Sequence, residues 1–210
     1  MGSEMCIRDS IILPLYKKGD RLNVDNYRGI TILSCLGKLF TAFVNERLTK
    51  FTDKHGIIGP EQAGFRAGFS TMDHVLAFKL LIDLYLHKKK RLYVAFIDYS
   101  KAFDRIDRVC LWDKILSQNV TGKMFQVIFN LYKQAKSCVK VNGSKSEFFP
   151  CMTGVRQGEN LSPLLFAMYL SDLSKELGDS YNGLSNIKEL GETLLQDDDV
   201  FTYFNLYVLL

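Results

Sequence analysis

The sequence predicts a mixed α+β fold in which helices pack on an antiparallel sheet. Three observations predict it. Apolar residues fall at helical spacing across positions 36–51, an apolar strand-like run occupies 92–97 and stops at Asp98, and an Asn142-Gly143 pair sits between stretches that alternate like a hairpin.

Composition sets the frame. With 210 residues, 47% hydrophobic and 24% charged, the chain is long enough for one sizeable core, and disordered and collagen-like classes are excluded. Its apolar stretches are broken by Lys, Asp or Asn well before the roughly 20 residues of a membrane span, and no secretory leader opens the chain. A soluble intracellular protein, nuclear or cytoplasmic, is expected. Five cysteines, widely scattered and without a CxxC pair, read as small buried hydrophobes in a reducing compartment. A net charge of +4 permits a polyanionic partner without requiring one. Residues 1–10 join poorly to the rest of the chain, and SEMCIRDS looks like translated adapter sequence, so they are expected to be an artefactual leader outside the fold.

The elements come in order. Residues 11–16, with Pro14, predict an edge strand, and Lys17, Lys18, Gly19 and Asp20 turn it toward solvent. A second run at 30–33 leads to Ser34. Then Leu36, Leu39, Phe40, Phe43, Val44, Leu48 and Phe51 define the apolar face of a helix, with Lys38, Glu46 and Lys50 outside it. Ser70 and Asp73 have capping-box spacing and open a helix through Val75, Leu76, Leu80 and Tyr85 to a basic end at 87–91.

Residues 92–97 are apolar on both alternating faces, as in a strand buried within a sheet. Helices are predicted around 109–116 and 123–134, and then the hairpin at Asn142-Gly143 returns toward Phe148 and Phe149. Ser162 and Pro163 read as a cap and first turn for a helix through Leu164, Leu165, Met168, Tyr169 and Leu173. Leu194 and Leu195 lead into Asp197, Asp198 and Asp199, and a second apolar run from Val200 completes the pattern of a hairpin with carboxylates at its tip.

Carboxylates on separate elements are what a two-metal phosphoryl-transfer site requires, because hard cations take oxygen ligands and sit roughly 3.5–4 Å apart around the reacting phosphate. Asp98 with Asp198 and Asp199 supply this chemistry if their elements are neighbours. On spacing alone a capping Asp98 and a solvated acidic turn are the more ordinary reading. Clustering three acids at a turn does carry an electrostatic cost unless a cation is present.

The motifs carry the matter further. Residues 97–104, Ile-Asp-Tyr-Ser-Lys-Ala-Phe-Asp, resemble the first palm motif of reverse transcriptases of the non-LTR retrotransposon type. Residues 26–30 and 61–66 resemble two fingers motifs of that family, residues 154–158 with 161–166 the next palm motif, and residues 194–199 occupy the place of its aspartate pair. Five motifs in the family's order span positions 11 to 200. The resemblance implies the fingers and palm of a right-hand polymerase, with 11–91 fingers-like and 92–210 palm-like and truncated before the thumb. It implies RNA-directed DNA synthesis from deoxynucleoside triphosphates on an RNA template and DNA primer. It also implies Mg²⁺, replaceable by Mn²⁺, held by Asp98 and Asp198 with Asp199 assisting.

Other roles come from the resemblance one position at a time. Phe103, five residues after Asp98, matches a ring that excludes a ribose 2′ hydroxyl, although a core aromatic beside a strand accounts for an isolated Phe equally well. The backbone at Lys101, Ala102 and Phe103 is expected to face the triphosphate. Arg28 is expected to clamp it through its guanidinium fork, a surface arginine being the alternative. Gln157 and Gly158 match the loop beneath the incoming nucleotide, and Arg66 matches a contact to the template backbone. The basic run 88–91 reads as a solvated helix end rather than a nucleic-acid contact. Asp104 is expected to serve capping or local structure.

Two departures stand out. Gln196 replaces the family's usual aromatic, and Asp197 a small residue. A truncated, inactive retroelement remnant that keeps only nucleic-acid binding is therefore carried as the alternative function.

Overall fold

The computed structural model describes residues 7–60, 62–97, 99, 101–173 and 200–205. Along the chain these form β1 (Asp9–Tyr16), a 3₁₀ turn (Val24–Asn26), β2 (Tyr27–Leu33), α1 (Cys35–Lys54), α2 (Thr71–His87), β3 (Leu92–Ile97), α3 (Arg108–Ser117) and α4 (Gly122–Lys133). Next come β4 (Lys136–Val141), β5 (Ser144–Lys145), β6 (Phe149–Pro150), α5 (Ser162–Tyr169) and β7 (Val200–Asn205). The mixed α+β class is as expected. The chain divides into two compact units, residues 1–55 with 101–169, and residues 56–100 with 170–210.

In the first unit, β1 runs antiparallel to β2 from Ser10↔Leu33 to Tyr16↔Tyr27, and parallel to β4 from Asp9↔Lys136 to Ile12↔Val139. The connection from β1 to β4 contains helices, which is what a parallel neighbour requires. Two expectations change here. Asp9 and Ser10, set aside with the leader, belong to β1, and Ser10 is fully buried, its hydroxyl 2.7 Å from that of Ser137. β1 is also an interior strand up to Ile12. Pro14 lies just beyond, where β4 has left the ladder and a missing N–H costs nothing on that side. β6 pairs with the start of β4, and Asn142 and Gly143, both at positive φ, make the expected tight turn into β5.

Ser34 caps α1, its hydroxyl accepting from the Gly37 amide at 3.0 Å. The buried stripe of this helix is Gly37, Thr41, Val44, Leu48 and Thr52, one step round from the expected face. Leu36 and Leu39 are 72% and 70% exposed, because small Gly37 and Thr41 let the helix settle closely on their side. The core of this unit is built from Leu48, Leu111, Ile115, Ile128, Tyr132, Leu161, Leu165 and Met168, all fully buried. Burying each leucine or isoleucine contributes about 1.5–3 kcal/mol. Trp112 on α3 meets Phe125, Phe129 and Tyr132 on α4 with ring centroids 5.7–6.3 Å apart, which joins the two helices.

In the second unit, the Ser70 capping box is present: Ser70 Oγ accepts from the Met72 amide and Asp73 Oδ2 from the Ser70 amide, each at 3.1 Å. α2 buries Leu81 and Tyr85. β3 pairs with β7 in parallel, from Leu92↔Val200 to Ile97↔Asn205, where a wholly antiparallel sheet was expected. The intervening chain is long enough for a crossover, so hairpin geometry is not imposed. Phe96 is exposed, so β3 is not covered on both faces. Of the described cysteines only Cys138 is buried, Cys35 and Cys110 being exposed. Among the described residues no helix is long and apolar enough to cross a membrane.

Candidate functional site

Three segments that are distant in sequence meet in the first unit. The Thr31 amide of β2 donates to the Gln157 carbonyl at 2.7 Å. Next to it, Gly158 has φ +108°, and a Cβ there would stand 2.8 Å from the Thr31 carbonyl, so only glycine lets the loop lie on β2. The close approach expected at Gly158 is thus made to the protein's own strand. At the other end of the same loop, the Val155 amide donates to the Phe103 carbonyl at 2.8 Å and the Gly154 amide to the Ile106 carbonyl at 2.9 Å. The loop 154–158 therefore joins β2, which carries Arg28, to the turn that carries Lys101, Ala102 and Phe103.

That turn is tightly wound. Lys101 has φ +54°, and its carbonyl accepts from the amides of Asp104 and Arg105. Its ammonium reaches Asp25 Oδ1 at 2.7 Å, and this hydrogen bond, with the ammonium charge, holds the Asp25 carboxyl below its ordinary range. Phe103 is half-buried, its ring 5.1 Å from that of Phe166 on α5. Asp104 stands in the field of Lys101 and Arg28. Burial pushes its carboxyl up and the two cations oppose that. Capping of α3 falls to Asp107, whose carboxylate accepts from the amides of Val109 and Cys110.

Beneath the loop lies a buried polar network in which Arg156 and Ser162 come from the motif at 154–158 and 161–166, whereas Tyr132, Glu159 and Arg108 come from no motif. Tyr132 Oη donates to Glu159 Oε2 at 2.7 Å and lies 3.3 Å from Ser162 Oγ. Ser162 thus faces this network and does not cap α5, in contrast to its expected role. Arg156 Nη2 donates to the carbonyls of Arg8 and Leu131, and its Nη1 lies 3.8 Å from Glu159 Oε1. Among the described residues these last two atoms have no hydrogen-bond partner. Burial pushes the Glu159 carboxyl up, against the lowering effects of Arg156, Tyr132, Ser162 and Arg108. The guanidinium groups of Arg108 and Arg156 lie 5.1 and 5.4 Å from the centroid of the Tyr132 ring. The sequence signal for the network was the pair Arg156 and Glu159 flanking Gln157-Gly158 at a spacing of three; nothing marked Tyr132 or Arg108.

Arg66 belongs to the second unit. Its guanidinium donates to the carbonyls of Gly59 at 2.7 Å and Gln62 at 3.3 Å and lies 4.2 Å from the centroid of the Phe69 ring. Asp98, Asp198 and Asp199, and the strand expected before the acidic pair, lie outside the described residues. No cluster of three or more metal-ligating side chains occurs among the described residues. Of the neighbouring strands only the backbone register is described. Ile97, just before Asp98, pairs with Asn205, whereas Val200, just after Asp199, pairs with Leu92. At the usual strand rise, the two flanks are roughly 17 Å apart.

Comparison with known proteins completes the picture. The sequence matches the family described as reverse transcriptase (RNA-dependent DNA polymerase) over residues 16–203. It is 24% identical over 190 residues to a retrovirus-related Pol polyprotein from type-1 retrotransposable element R2 of Nasonia vitripennis, covering 90% of this chain and 18% of that protein. It is 30% identical over 163 residues to a probable RNA-directed DNA polymerase from transposon BS of Drosophila melanogaster, covering 77% and 18%. To the RNA-directed DNA polymerase from mobile element jockey of Drosophila funebris it is 29% identical over 196 residues, covering 92% and 21%. The chain thus spans about a fifth of the length of these relatives. With the five motifs in order and the family matched across nearly the whole chain, this protein belongs to the reverse transcriptase family.

Proposed function

We propose that the chain supplies the nucleotide-handling part of a retroelement's RNA-directed DNA polymerase, with residues 11–91 fingers-like and 92–210 palm-like. The reading is supported by one observation: the loop 154–158 is hydrogen-bonded both to β2, the strand that carries Arg28, and to the turn at 101–106, although the three segments are far apart in sequence. In this reading the Arg28 fork grips the triphosphate of an incoming deoxynucleotide, and the backbone of Lys101, Ala102 and Phe103 faces it. The ring of Phe103 excludes a ribose 2′ hydroxyl. Gln157 and Gly158 lie beneath the nucleotide and template, and Arg66 contacts a template phosphate, positioning the RNA strand without reading its sequence. A DNA primer supplies the 3′ hydroxyl that is extended.

Reverse transcriptases use divalent metals such as Mg²⁺, and Asp98, Asp198 and Asp199 are the residues whose motif positions would hold them. That assignment rests on the motifs alone. The departures at Gln196 and Asp197 favour a second reading, a remnant that binds nucleic acid without turnover. Primer extension on an RNA template with Mg²⁺ and deoxynucleoside triphosphates separates the two. Extension that Asp98→Asn abolishes supports the polymerase; absent extension with retained primer–template binding supports the remnant.

A further inference from the structure

The position of Phe103 is fixed from behind by a short chain of contacts that starts at an arginine no motif includes. Arg108 Nε donates to the Gly154 carbonyl at 2.8 Å, Nη1 to those of Tyr132 at 3.1 Å and of Cys151, and Nη2 to that of Thr153 at 3.2 Å. One planar guanidinium therefore holds four carbonyls, three of them from the segment 151–154, and rests over the Tyr132 ring. A lysine cannot reproduce this, since an ammonium is a point donor without the fork. The held segment continues directly into the Val155 amide, which bonds the Phe103 carbonyl. At the junction Gly154 has φ +72°, and a Cβ there would stand 2.7 Å from the carbonyl oxygens of both Phe103 and Asp104. There is no slack at this point, so a shift of the segment must move the Phe103 backbone.

We infer that Arg108 and Gly154 are positioning residues that set how far the Phe103 ring stands into the nucleotide cradle, and so set the discrimination between deoxy- and ribonucleoside triphosphates. The inference rests on the proposed role of Phe103 against the nucleotide sugar. Neither residue touches the nucleotide. Arg108 acts through the carbonyls of 151–154, and Gly154 by admitting the Phe103 and Asp104 carbonyls at a distance no side chain allows.

The test uses the full chain with Arg108→Lys and Gly154→Ala and two readouts. Amide hydrogen exchange reports the mechanical link: in Arg108→Lys the Val155 amide exchanges about tenfold faster or more, as for a lost hydrogen bond, while the buried Ile128 amide is unchanged. Equilibrium binding of dATP and ATP, with RNA template, DNA primer and Mg²⁺, reports selectivity: the ratio of the two affinities falls about tenfold in each variant. Unchanged Val155 exchange overturns the positioning claim whether or not the chain binds nucleotides. Faster exchange with an unchanged ratio overturns the link to sugar selection. If the unmodified chain binds neither triphosphate, the nucleotide reading fails, and the selectivity claim with it, while the exchange result still decides the mechanical link. Loss of Ile128 protection in both variants overturns the view that they act locally on Phe103.

Discussion

Lys101 and Asp25 lie 2.7 Å apart with both side chains largely in water, whereas Arg156 and Glu159 lie 3.8 Å apart with side-chain exposures of 5% and 0%. Both pairs belong to the first unit, and each sits beside one of the segments that meet there. The shorter pair is the weaker contributor, because water screens it and the long lysine side chain loses rotamer freedom in making it. The longer pair cannot be relieved by water. Each of its members would be a bare buried charge without the other; Tyr132 and Ser162 bond Glu159 Oε2, and among the described residues Glu159 Oε1 and Arg156 Nη1 have only each other. Depth decides which pair the fold depends on, not distance.

The largest effect expected from that contrast is on Glu159. Replacing it by alanine strands the Arg156 guanidinium and the Tyr132 hydroxyl in the interior, and the unfolding free energy drops by about 3–5 kcal/mol in urea titrations. A drop under about 1 kcal/mol would mean the network is wet or already broken.

Glu159→Gln sharpens the same point through pH. Burial raises the Glu159 carboxyl in the folded state, so between the unfolded value, about 4.3, and the folded one the native protein holds the extra proton. Stability attributable to Glu159 is greatest below that window and is lost as pH rises through it. Relative to Glu159→Gln, the unmodified protein therefore loses stability with rising pH across the window and runs parallel above it. The opposite slope would show that the ion pair with Arg156 outweighs burial.

The smallest effect is expected at Asp25. Its carboxyl is held low by Lys101, so any stabilisation is present above the ordinary aspartate range and fades as pH falls. Being exposed, it is screened: Asp25→Asn leaves the urea midpoint unchanged at about 0.15 M salt or above. A midpoint that moves there would place this pair alongside the buried one.

Much of the local structure was legible because its causes are local. Ser34 caps α1, Ser70 and Asp73 make their box, and Asn142 with Gly143 turns its hairpin, since each needs only neighbours within a few residues. The face of α1 was less legible. Periodicity found a stripe of large apolar residues, whereas the structure buries small Gly37 and Thr41, because what packs is the surface that fits a neighbour closely. Ser162 looked like a cap for the same kind of reason: its sequence context is right, but Tyr132 and Glu159 claim its hydroxyl.

By itself the sequence determined the family, through five motifs in order, and singled out Arg28, Lys101, Ala102, Phe103, Gln157 and Gly158 as candidates for nucleotide binding. Motifs record which chemistry each position can perform. Only the tertiary structure decided how those positions are held. Strand register, such as the parallel pairing of β3 with β7, and the buried hub of Arg108, Tyr132, Arg156 and Glu159 arise from contacts between segments far apart in the chain. Such contacts are chosen by shape, desolvation and hydrogen-bond completion across the whole core, and no local pattern of residues encodes them.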